Sequence, residues 1–196
     1  MAQTIAGGNY HSHAICGVTV NPGKSASAVA APGLSVTSWG FNNYGHLGDG
    51  TNETPACVCG NANCCKNTPV TLLNSANFIA VSAGAAHTLL LRNDNTVWSF
   101  GRGTFGALGL GNTSDVNSMQ QIPISNVITI AGGSGNHSLL LKGDGTVWSC
   151  GYNFDGELGD GTNGASANKV SPVQVIGLTG ITAIAAGEKH LSLIHI

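Results

Sequence analysis

Three segments of this chain repeat one frame: a short strand-like run whose final glycine opens the pattern G-x-x-x-x-G-x-L-G-x-G. The runs begin at Val36, Val97 and Val147, and the opening glycines are Gly40, Gly101 and Gly151. A second phrase, A-G-x-x-H-[ST] with small variations, surrounds His11, His87, His137 and His190. The spacings between these histidines are 76, 50 and 53 residues. Self-similarity at a fixed period means that each unit buries its apolar face only against its neighbours, so architecture is decided before any single residue is read. The units fall at about 4–77, 78–126 and 127–180, with the opening of another at 181–190.

Within each unit the local pattern is β. Phe78–Ser82 and Val127–Ala131 are short, apolar and β-branched, and His87–Arg92 and His137–Lys142 follow them. Thr96–Phe100 and Thr146–Cys150 alternate apolar and polar residues at the strand period. Asn93-Asp-Asn95 and Gly143-Asp-Gly145 supply residues that tolerate positive φ in a tight hairpin. A fourth strand is expected around Pro69–Leu73, Ile122–Ile124 and Pro172–Ile176, with proline suited to an edge. Four short antiparallel strands per unit of ~50 residues make a propeller blade.

The combination A-G-x-x-H-[ST]-L-x-L, V-x-S-x-G and G-x-N-x-x-G-x-L-G-x-G-T resembles the RCC1 repeat, named for the regulator of chromosome condensation. The resemblance spans roughly residues 4–190 and rests on several motifs recurring in order. Gly103 and Thr104 depart from it in the second unit, where the family has an Asn region. It implies an all-β, RCC1-like β-propeller, of which this chain carries an incomplete arc of three to four four-stranded blades out of an expected seven. The remaining blades of a longer protein are then its first partners. Leu191–Ile196 departs from the continuing repeat and looks like a translated sequencing adapter, an artefact rather than biology.

Composition narrows the function classes. Charged residues are 8% of the chain, against about 25% in ordinary soluble domains. The net charge of −2 and the lack of a basic stripe argue against nucleic acid as a partner. No apolar run reaches the ~18 residues of a membrane span. Low charge and polar, uncharged loops weakly favour an extracellular or cell-surface location over the cytoplasm.

The recurring histidines His11, His87, His137 and His190 invite a catalytic or metal reading. Equivalent positions in successive blades are expected to stand tens of ångströms apart around a ring, so the imidazoles are read as structural, satisfying buried backbone groups. His137, Ser138 and Asp144 form no triad, because the hairpin turn carries Asp144 away. The glycines Gly45, Gly48, Gly106, Gly109, Gly156 and Gly159 superficially resemble a phosphate-binding loop. They follow no parallel strand, open no helix and lack a following Lys-Ser/Thr. They are structural repeat residues, with Leu47, Leu108 and Leu158 as core plugs between them. No cofactor, metal or catalytic constellation follows from these residues.

The clearest local oddity is Cys57, Cys59, Cys64 and Cys65, inside an insertion the other units lack. Two disulfides pinning a loop suit this spacing better than zinc, since C-x-C-x4-C-C is not a usual zinc-ribbon pattern. Cys150 occupies the position of Trp39 and Phe100 in the other units and reads as a small buried hydrophobe. Interaction candidates are the positions that vary inside the fixed frame: Asn43, Tyr44 and His46; Thr104, Phe105 and Ala107; Phe154, Asp155 and Glu157. Their aromatics fit either a binding surface or packing between blades. The expected function is a non-enzymatic scaffold that binds protein through loops on one face. The alternatives are a carbohydrate-binding or cell-surface module and, with only seven Lys plus Arg against it, a guanine nucleotide exchange factor.

Overall fold

The computed structural model describes residues 2–9, 11–19, 29–51, 65–72 and 76–195. Three four-stranded antiparallel sheets follow one another, each a simple meander. The first holds β1 (Ala2–Gly7), β2 (His11–Thr19), β3 (Val29–Phe41) and β4 (Cys65–Thr71). The second holds β5 (Phe78–Ala83), β6 (His87–Arg92), β7 (Val97–Gly101) and β8 (Val116–Gln121). The third holds β9 (Val127–Gly132), β10 (His137–Lys142), β11 (Val147–Gly151) and β12 (Lys169–Gln174). A hairpin of β13 (Ile181–Ala186) and β14 (Leu191–His195) comes last.

The sheets stack face to face, and the strand period shows how. On β6, Leu90 faces one way into a cluster with Ile15, Val36, Phe78 and Phe100. Leu89 and Leu91 face the other way into a cluster with Val97, Val127 and Leu140. On β10 the pattern advances by one blade, because Leu140 belongs to that second cluster. Leu139 and Leu141 join Val147, Val175 and Ile181 in a third. A run of three leucines is therefore buried in both β6 and β10, as expected for a strand covered on both faces. Burial at ~25 cal/mol per Å2 makes these inter-sheet seams the main source of cohesion.

The turns behave as their residues dictate. Asn95 and Gly145 hold φ of 63° and 79° in the β6–β7 and β10–β11 hairpins. Beside them Asp94 and Asp144 accept the backbone N–H of Thr96 and Thr146 at 3.1 and 3.0 Å. The Thr96 and Thr146 hydroxyls donate to the same two carboxylates.

One strand is displaced from expectation. The fourth strand of the second sheet is Val116–Gln121, not Ile122–Ile124. Ile122 instead follows the strand, fully buried in the second cluster, with its N–H on Val97 O at 2.9 Å. The outer strand is polar because it is an exposed edge. The apolar Ile-Pro-Ile reading mistook a core plug for the strand itself.

Candidate functional site

The G-x-x-x-x-G-x-L-G-x-G loop follows the third strand of each sheet. Leu47, Leu108 and Leu158 are buried, as the frame implies. Each leucine carbonyl accepts the hydroxyl of Ser38, Ser99 or Ser149 at 2.7–2.8 Å, which explains the invariant Ser of V-x-S-x-G. Asn42 and Asn153 close the loop from within: their Oδ1 accepts the N–H of Leu47 and Leu158 at 3.0 and 2.9 Å. Their amide nitrogens donate to Asp49 and Asp160. In the second unit Gly103 stands at that position, and its N–H goes to the Asp115 carboxylate at 2.9 Å. The loop there tightens into a 3-10 turn at Thr104–Gly106, with Phe105 at a φ of 65°. Gly48 shows why glycine is needed in the frame: its φ is 71°, and a Cβ would lie 2.7 Å from the Phe100 ring.

The histidines do not spread around a wide ring. His11 lies 4.9 Å from His13 and 4.5 Å from His46, ring centre to ring centre, and all three are buried together with His87 and His137. The A-G-x-x-H phrases sit at the inner ends of their strands, where neighbouring sheets converge. The Nε2 atoms of His11, His13 and His87 each reach a hydroxyl of the next unit. His11 Nε2 and His13 Nε2 stand 3.1 and 2.9 Å from Thr88 Oγ1. His87 Nε2 stands 3.0 Å from Ser138 Oγ. The Thr88 hydroxyl donates to His46 O at 3.0 Å and the Ser138 hydroxyl to Ala107 O at 2.8 Å. A hydroxyl has one hydrogen, so these imidazoles are the donors to it and are neutral Nε2–H tautomers.

Burial enforces that neutrality. Desolvation, aided by neighbouring imidazoles, lowers His11 to about 2, His13 to about 3 and His87 to about 4 from the ordinary 6.5. His46 falls to about 4 through desolvation. Gly84 lies against its own histidine: a Cβ there would come within 2.1 Å of His87 Cε1. Among the described residues no three His, Cys, Asp or Glu side chains are grouped to hold a metal ion.

The variable loop positions divide into two sets. His46 and Glu157 lie inside, at the axis end of the loop, and Ala107 with them. Variation inside the fixed frame predicts a surface position for all three, but each immediately precedes the buried leucine, and that register points inward. Asn43 and Thr104 are half-buried, whereas Asp155 is exposed and pairs with Lys189 at 3.4 Å. The aromatics form a stripe across units. Tyr44 lies under the Arg102 guanidinium, 4.8 Å from ring centre to Cζ. One unit on, Phe105 packs on Tyr152 at 4.9 Å, and Phe154 stacks on the same Tyr152 at 6.4 Å. Phe105 and Phe154 still expose 36% and 49% of their surface. Phe105 therefore packs between blades and Phe154 within its own, and both face solvent.

Phe41, Arg102 and Tyr152 hold one register, the residue after the strand-ending glycine. Sequence reading passed over it because it lies just ahead of the variable loop core; its signal was an aromatic or arginine in all three units. The stripe borders a basin of about 890 Å3, lined by Trp39, Phe41, Tyr44, Lys66 and Arg102. Its floor comes from the first inter-strand turns of the three sheets, at Asn9, Ala85–Ala86 and Ser134–Asn136. A second depression of about 270 Å3 adjoins it across Ser134 and Asn136, between Phe105, Tyr152, Glu188 and Lys189. Cys65 is half-buried at the start of β4 and also lines the basin. Cys57, Cys59 and Cys64 lie outside the described residues. Cys150 is fully buried, as expected, and burial pushes its thiol up to about 12.

Sequential four-stranded meanders stacked through their faces, with inner ends converging and loops gathered on one face, define an arc of a β-propeller. The family model described as the regulator of chromosome condensation (RCC1) repeat matches residues 35–91, 94–141 and 144–194. The chain belongs to the RCC1-repeat family. It is 30% identical over 183 residues to the human probable E3 ubiquitin-protein ligase HERC4, covering 89% of this chain and 16% of that protein. It is 32% identical over 97 residues to the ultraviolet-B receptor UVR8 of Arabidopsis thaliana, covering 50% of this chain and 19% of the receptor. The crystal structure of human WBSCR16 superposes with a TM-score of 0.72 at 20% identity, over 97% of this chain and 44% of that one. Prp20p of Saccharomyces cerevisiae, solved in a study of its binding to Gsp1p and histones, gives 0.73 at 19% identity, over 98% and 43%. The chain thus spans under half the length of each of these proteins.

Proposed function

We propose that this chain is a non-enzymatic propeller segment that binds a protein partner on the face carrying the Tyr44–Arg102 and Phe105–Tyr152–Phe154 stripe. The observation that carries the reading is the continuity of that stripe with the basin. Three units contribute to one concave, aromatic-rich surface, and aromatic side chains and arginine are the commonest anchors of protein interfaces. The rigid sheets beneath fix the loops, as suits a recognition surface. The relatives lend support, since Prp20p was studied for its binding to Gsp1p and histones and has been solved bound to Kap60.

The test is paired substitution. Phe105→Ser with Phe154→Ser alters the stripe, and Ile128→Ser with Ile176→Ser alters exposed apolar residues outside it. Protein partners recovered by the unaltered chain should be lost with the first pair and kept with the second. Equal loss, or none, rejects the surface. Glycan-array binding that depends on Tyr44, Phe105 or Phe154 would move the assignment to a carbohydrate-binding module. Turnover that survives purification and disappears on changing a blade loop would make the chain an enzyme.

A further inference from the structure

The basin has a chemical bias that the rest of the stripe lacks. Among the described residues its lining includes Arg102 and Lys66 and no carboxylate. Among the described residues Arg92, Lys142, Lys169 and Lys189 each lie within 4 Å of a carboxylate oxygen, whereas Arg102 pairs with none. Two contacts fix its side chain: Nε donates to Thr104 Oγ1 at 2.9 Å, and the guanidinium lies over Tyr44. An arginine held in this way retains its four terminal N–H groups in a rigid fork. That geometry matches a carboxylate in two parallel hydrogen bonds, and little side-chain entropy remains to be lost on binding.

We infer that the basin receives a short acidic segment of a protein partner, its Asp or Glu carboxylate on Arg102 and a nearby apolar side chain against Phe105, Tyr152 and Phe154. This rests on the protein-binding reading above and names the partner's chemistry. The basin's size favours a segment over a folded domain, since about 890 Å3 lies within the ~300–1,000 Å3 typical of small-ligand pockets. Charge distribution favours a single acidic side chain over a polyanion. A nucleic-acid strand crossing from the basin into the adjoining depression would meet Glu188 there and Asp155 close by. A peptide needs only one carboxylate, at the Arg102 end, and offers apolar groups to the other.

A random dodecapeptide library displayed on phage and selected on the whole chain tests this directly. Selected peptides should be enriched in Asp or Glu at one position, with an aromatic or aliphatic residue within a few positions of it. Replacing that acid in a synthetic peptide by its amide should weaken binding, read by fluorescence anisotropy, by about tenfold or more, the worth of a charge-assisted pair. This arm leaves the protein unchanged, so no folding defect can mimic the result. Arg102→Gln should abolish the acidic preference, and Arg102→Glu should turn it toward Lys and Arg. Apolar peptides with no acidic preference overturn the inference but leave the protein-binding reading standing. Failure to select any peptide overturns it too, while the Phe105/Phe154 pair still tests the broader reading independently. Arg102-dependent binding of an oligothymidylate or of a glycan, with no peptide selected, overturns both.

Discussion

The two inner junctions between sheets and the outermost one are built from the same phrase yet closed differently. Between the first and second sheets, His11 and His13 converge on Thr88; between the second and third, His87 meets Ser138. Each hydroxyl passes its own hydrogen to the carbonyl at position 46 or 107. Between the third sheet and the β13–β14 hairpin, the residue after His190 is Leu191, which carries no hydroxyl. Among the described residues the buried His137 ring meets no hydroxyl, and Glu157 Oε1 beside it is unpaired. The comparison teaches that the hydroxyl after the histidine is what closes a junction. The histidine alone does not close one.

The largest expected effect is on acid stability. The unfolded chain takes up protons on these imidazoles near 6.5, while the folded chain resists until about 4 at His46 and His87 and lower at His11 and His13. Protonation therefore favours unfolding, and stability should fall as pH drops from about 6.5 toward 4. Urea unfolding followed by tryptophan fluorescence across that range checks it; equal stability at both ends would remove the buried neutral cluster from the account.

Next comes a matched pair of glycine substitutions. In Gly84→Ala and Gly187→Ala the new Cβ meets its histidine at 2.1 and 2.3 Å. His87 is buried and held by Ser138, so Gly84→Ala should cost about 2–4 kcal/mol, in the range of overpacking plus a broken buried hydrogen bond. His190 is exposed and can turn away, so Gly187→Ala should cost under about 1 kcal/mol. Equal costs would show that burial of the histidine at a closed junction does not set the cost of crowding it.

Ser138→Ala isolates the hydroxyl itself. It leaves the His87 Nε2–H unpaired and the Ala107 carbonyl with only the Cys150 thiol at 3.8 Å, and should cost about 1–3 kcal/mol by denaturant unfolding.

The repeat made the meander, the hairpin turns at Asn95 and Gly145, and the plugs Leu47, Leu108 and Leu158 legible, because periodicity reports position within a blade. It does not report distance from the axis. That is why His11, His87 and His137 are expected tens of ångströms apart from the sequence, whereas His11 reaches Thr88 and His87 reaches Ser138 across adjoining units. The same gap put His46 and Glu157 on the surface, since a loop's variable letters do not say which of them turns inward. Arg102 went unread as a site residue because its role depends on Tyr44 of the preceding unit, a contact that only folding creates. The polar strand Val116–Gln121 was missed since an exposed edge carries little apolar signal.

Each closed junction takes an imidazole from one unit and a hydroxyl from the unit after it, so the array has a direction. A unit removed from the middle would leave an unsatisfied donor on one neighbour and an unsatisfied acceptor on the other. Units can thus be exchanged or duplicated only head to tail, and only where the residue following the histidine is Ser or Thr. That single position acts as a coupling standard, deciding which units of such a protein can be joined.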